Sequence, residues 1–169
     1  MRIAVCAAVA AAAAVAATPS RAININDCSY ASTKPVKAAV QSLDPAGVVK
    51  LQRGCRVSLT PAGGEAAVVL VGNAFPGSQL ETRLRIFRDQ NSDDEQFTKN
   101  VITRVPGLKN AYLVRELYKA DGEIQLQTVM VRRAAKLIVL TNLGIGEHST
   151  DTLLFLRPAQ LYTLARLLR

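Results

Sequence analysis

The chain has no tryptophan, one histidine and only 5% aromatic residues in 169 positions. A single histidine excludes the H-E-x-x-H arrangement and any two-histidine metal site. The scarcity of aromatics leaves few platforms on which unpaired bases could stack, and nucleic acid is not an expected partner. Seven prolines and ten glycines are too few for a collagen-like or low-complexity chain. No Walker loop, zinc-type cysteine spacing or G-x-S-x-G elbow occurs. No stretch beyond residue 22 reaches 18 uncharged residues, so the mature chain is expected to lack a transmembrane helix.

What is present begins with an export signature. Met1-Arg2 is a short positive start, residues 3–17 are apolar and rich in alanine, and Pro19 breaks that run. Ser20-Arg21-Ala22 places small residues at the −3 and −1 positions of a cut after Ala22. The expected organisation is a signal peptide over 1–22 and one domain over 23–169, secreted or periplasmic. Loss of Arg2 and Arg21 would lower the net charge from +8 to +6. Cys6 would leave as well, so Cys28 and Cys55 are expected to form one disulfide. Closing a loop of roughly 28 residues is worth about 3–4 kcal/mol on the chain-entropy model.

Apolar periodicity then orders the mature chain. Residues 35–43 predict a helix, with Pro35 in the first turn and Val36, Ala39, Val40 and Leu43 on one stripe. Residues 48–59, interrupted near Gly54, and 66–71 read as strands, with a loop over 73–78. In residues 82–88, Leu84 and Ile86 alternate with Arg83 and Arg85, which predicts a half-buried strand with a basic outer face. Ser92 and Glu95 form a capping box before Phe97, Val101, Ile102 and Val105, which predicts a helix ending at Pro106-Gly107. Residues 111–118 and 123–132 flank Asp121-Gly122 as a hairpin, and 137–143 adds a buried strand. Residues 158–169 predict a C-terminal helix; 152–156 fits either a strand or a helical turn.

The expected fold is therefore α+β: a mostly antiparallel sheet of about six strands, with an N-terminal, a central and a C-terminal helix packed on it. Several unrelated families share this element order, PsbP-like αβα sandwiches among them, and no motif in the residues selects one.

Candidate chemistry is thin. Gly144-Ile-Gly146-Glu-His-Ser149 is similar to a dinucleotide-binding glycine motif, but only 20 residues follow it, too few for the required βαβ unit. His148 lies between Glu147 and Ser149, with Asp151 close by, yet neighbours on one loop do not converge as a triad does. Asp89, Asn91 and Asp93 match the start of a calcium loop, which then fails at Asp94 and Asn100, where glycine and glutamate are required. No catalytic residue, metal or cofactor is expected. Arg83, Arg85, Arg132, Arg133 and Lys136 remain as a basic face able to attract an acidic protein, an anionic glycan or a lipid headgroup. The expected function is a small exported, non-catalytic binding or accessory module. The alternatives are a small hydrolase centred on the loop from Glu147 to Asp151, and a carrier of a lipid or other apolar ligand.

Overall fold

The computed structural model describes residues 33–53, 55–91, 98–145 and 154–168. Among them are three helices, α1 (Lys34–Gln41), α2 (Gln79–Gln90) and α3 (Pro158–Leu167). Seven strands accompany them: β1 (Val48–Gln52), β2 (Arg56–Thr60), β3 (Ala67–Pro76), β4 (Thr98–Arg104), β5 (Ala111–Tyr118), β6 (Ile124–Arg133) and β7 (Lys136–Asn142). The strands form one sheet in the order β1-β2-β3-β7-β6-β5-β4, with every pairing antiparallel. The first three strands fold as a meander. The chain then crosses through α2 to the far edge, and β4 to β7 meander back until β7 closes against β3.

Strand alternation divides the apolar residues between two faces. Val57, Leu59, Leu70, Leu113, Val129, Val131 and Leu140 point to the face covered by α1 and α3. Val114, Met130, Leu137 and Val139 point to the opposite face, where Leu80 and Leu84 of α2 meet them. The continuous apolar run 137–140 follows from this position, because a central strand with helices on both faces has no solvent side. Each helix contributes one stripe: Val36, Ala39 and Val40 from α1, and Leu161, Leu164 and Ala165 from α3. Fully burying a leucine of this kind stabilises the fold by about 1.5–3 kcal/mol.

One polar residue fixes how α3 approaches the sheet. Asn142, at the end of β7, is fully buried. Its Nδ2 donates to the Val69 carbonyl at 3.0 Å, and its Oδ1 accepts the Leu156 N–H at 2.9 Å. The segment entering α3 is thereby bonded to the sheet from inside the core. Leu154 adds an isolated antiparallel bridge to Ile145, and residues 152–153 lie outside the described residues.

Three expectations are corrected. Residues 82–88 are helical, because Leu80, Leu84 and Phe87 recur at i, i+4 and i+7 and meet the sheet. Ile86, which the alternation would bury, is 49% exposed. Residues 98–104 are strand β4 rather than helix: Thr98, Val101, Ile102 and Thr103 are β-branched and pair with β5 over its whole length. The capping-box residues 92–95 fall outside the described residues. Residues 73–76 belong to β3, not to a loop, since Asn73 to Pro76 pair with β7. Beyond Gly72, no strand among the described residues pairs with the other side of β3, and Pro76, lacking an N–H, is tolerated at such an edge.

Candidate anion-binding end of the sheet

The β6–β7 hairpin closes with Arg133 directly opposite Lys136, leaving Ala134 and Ala135 as a two-residue turn. Ala134 sits at φ 45, a left-handed conformation that costs a non-glycine residue about 1–2 kcal/mol. The tip is held from outside: the Gly77 N–H donates to the Ala135 carbonyl at 2.7 Å. A Cβ on Gly77 would come within 2.9 Å of the Ala134 carbonyl oxygen, so the approach to α2 is close enough to demand glycine. Like charges opposite one another in a ladder are mutually unfavourable. This hairpin therefore combines backbone strain with charge crowding, and Gly77, in the turn before α2, bonds to its tip.

The β4–β5 loop, residues 105–110, lies beside that hairpin. The Arg132 N–H donates to the Asn110 carbonyl at 2.8 Å, and Gly107 (φ 79) turns the loop. Between them is a cavity of about 150 Å3 lined by Lys109, Asn110, Ala111, Val131, Arg132 and Arg133, with Leu108 at its side. Arg104 ends β4 with its guanidinium 5.9 Å from the centroid of the Tyr112 ring. Arg166, in the last turn of α3, donates to the Pro106 carbonyl at 3.3 Å. Arg104, Lys109, Arg132, Arg133, Lys136 and Arg166 thus gather at one end of the sheet. The segments 104–111 and 131–137 contain no aspartate or glutamate.

Of the sequence-predicted residues, the structure brings Arg132, Arg133 and Lys136 together. Arg132 and Arg133 point to opposite faces, as consecutive strand residues must. Arg83 and Arg85 do not form a two-arginine strand face. Two residues apart on a helix, they project about 200° apart. Arg83 is half-buried, with its guanidinium 3.7 Å over the Phe75 ring and its Nε and Nη2 donating to Gln79 Oε1. Phe75 pairs with Leu137, which pairs with Arg132, so Arg83 stands on the same sheet face as Arg132 with β7 between. Arg85 is exposed.

Sequence reasoning missed Arg104, Lys109 and Arg166. The signal is Pro106-Gly107, whose pattern fits the end of a helix and which in the structure joins strands β4 and β5. The remaining motifs carry little. Asn91 spends its side chain on the Asn100 backbone, tying the end of α2 to β4. Gly146, Glu147, His148, Ser149 and Asp151 lie outside the described residues, as do Asp93, Asp94 and Cys28. Cys55, in the β1–β2 turn at φ 56, is disulfide-bonded. No complete cysteine pair falls within the described residues. Among those residues, no group of three His, Cys, Asp or Glu side chains could hold a metal ion, and no helix is long and apolar enough to cross a membrane.

The architecture defines an α+β protein with an open seven-stranded antiparallel sheet, one end of which is cationic. No protein-family model, curated protein or solved structure matches the chain.

Proposed function

We propose that the chain is an exported, non-catalytic binding module that engages an anionic partner through the β4–β5 and β6–β7 end of its sheet. The observation carrying this reading is the convergence of Arg104, Lys109, Arg132, Arg133 and Lys136 around two adjoining loops without an acidic residue. Guanidinium forks engage carboxylate, sulfate or phosphate oxygens in pairs, and Arg132 and Arg133 line the cavity between the loops. Among the described residues, none of the large exposed apolar side chains (Val48, Leu51, Ile86, Tyr118, Leu143 and Leu154) lies in those loops. Binding here is therefore electrostatic and weakens with ionic strength, since screening at 0.15 M acts over about 8 Å. Export and the Cys28–Cys55 bridge belong to the same reading, and an oxidising compartment is where such a bridge persists.

The test compares wild type with the triple variant Arg132→Ser, Arg133→Ser and Lys136→Ser. The probes are a heparin-derived oligosaccharide, phosphatidylglycerol vesicles and polyglutamate, each at low and high salt. The variant should lose at least about tenfold in affinity for whichever probe binds, equivalent to about 1.4 kcal/mol. Equal binding by both proteins, or binding insensitive to salt, would refute the assignment.

A further inference from the structure

A second concavity lies at the opposite end of the sheet, between the end of α1 and the start of α3. Its volume is about 550 Å3. That falls in the range of small-molecule sites, about 300–1,000 Å3. Leu43, Leu154 and Phe155 supply an apolar wall. Leu154 is 54% exposed although it lines a hollow, so apolar surface is presented there.

The hollow is held in shape on two sides. Phe155 rests on Gly144, whose φ is +73; a Cβ at that glycine would stand 2.9 Å from the ring carbons Cε1 and Cζ. On the polar side a chain of hydrogen bonds joins the helices. The Arg157 N–H donates to Gln160 Oε1 at 2.8 Å, Gln160 Nε2 donates to Ser42 Oγ at 2.6 Å, and Ser42 Oγ donates to the Ala39 carbonyl at 2.6 Å. Gln160 and Ser42 thus bond to each other and to the helix ends. Among the described residues that line the hollow, Arg157 is the one that is charged.

We infer that this groove binds a small amphipathic carboxylic acid, with the apolar body against Leu43, Leu154 and Phe155 and the carboxylate paired with the Arg157 guanidinium. Sign and shape both enter the choice. An uncharged apolar ligand would leave the arginine unused, whereas an amphipathic cation would meet a like charge. The site does not depend on the basic loops of the other end.

Isothermal titration calorimetry with decanoate, decanol and decyltrimethylammonium on the intact protein tests it. Decanoate should bind one to one, and the other two at least about tenfold more weakly, the usual weight of a charge-assisted pair. Arg157→Gln should lower decanoate affinity by about tenfold and leave decanol unchanged. Leu154→Ser should weaken decanoate and decanol together. The triple variant of the β6–β7 hairpin should bind decanoate as wild type does. No saturable decanoate binding, or binding indifferent to Arg157→Gln, would overturn the proposal. Loss of decanoate binding in the hairpin variant would also overturn it, by moving the carboxylate to the basic end. Unchanged thermal midpoints in both groove variants separate a binding defect from unfolding.

Discussion

At the end of β7, Asn142 turns its amide inward and finds a partner for both of its atoms; at the start of β7, Lys136 and its neighbours turn outward and carry charge. α3 runs between these two ends, from Leu156 and Arg157 beside Asn142 to Arg166 beside Pro106. The inward end is built from bonded polar groups and close apolar contacts, so its substitutions should be read in stability. The outward end is held mostly by backbone bonds at its loops, so its side chains can change with little loss of fold. The buried polar anchor and the proposed polyanion contact thereby lie at different ends of one sheet.

The largest effect expected on stability tests the inward end. Asn142→Ala would orphan the Leu156 N–H and remove one of the two donors to the Val69 carbonyl, which keeps the Leu143 N–H. The unpaired N–H costs about 1–3 kcal/mol and the lost second bond to Val69 about 1 kcal/mol more, so a loss of about 2–4 kcal/mol is expected. For a domain of this size the thermal midpoint should fall by about 5–15 °C. A fall of less than about 2 °C would mean that α3 is not anchored through this residue.

The hairpin variant with three serines should behave oppositely. Arg132 and Lys136 are exposed and Arg133 is half-buried, so its stability should stay within about 1 kcal/mol of wild type, the relieved crowding of Arg133 and Lys136 offsetting part of any loss. Equilibrium urea unfolding measures this. A loss comparable with that of Asn142→Ala would erase the distinction between the two ends.

The division was partly legible in the residues. The hairpin 111–118 with 123–132, the buried strand after it and the outer helices follow from periodicity and turn chemistry, and all are present. The middle of the chain was misread, because Arg83-Leu84-Arg85-Ile86 satisfies a period of two while Leu80, Leu84 and Phe87 satisfy one of 3.6. Only the sheet surface beneath α2 decides between them. Phe97, Val101, Ile102 and Val105 present the converse case, with a spacing that fits a helix, but β5 supplies a partner strand to residues 98–104. Three of the cations at the basic end were invisible as a group, since Arg104, Lys109 and Arg166 are brought together by strand order and by the path of α3. Local pattern does not encode either.

The smallest effect concerns acid. Asp44 accepts the Ala62 N–H on Oδ2 and the Ala46 N–H on Oδ1, both at 2.9 Å, and these bonds hold its carboxyl below the usual range. The folded value is the depressed one, so the stabilisation is present above the unfolded value of about 3.9 and is lost as pH falls through the folded value. Asp44→Asn should lower the thermal midpoint slightly at neutral pH, and the gap from wild type should close below about pH 4. A gap that persists unchanged at low pH would assign the effect to something other than the carboxylate.

The claim at the centre of this account is that anions are met at the β4–β5 and β6–β7 end. Backbone amide chemical-shift mapping during titration with a heparin-derived oligosaccharide tests it residue by residue. The account predicts saturable shifts concentrated in residues 104–111 and 131–137, absent at high salt. Shifts spread evenly over the surface, or centred on Arg85 and the outer side of α2, would contradict it.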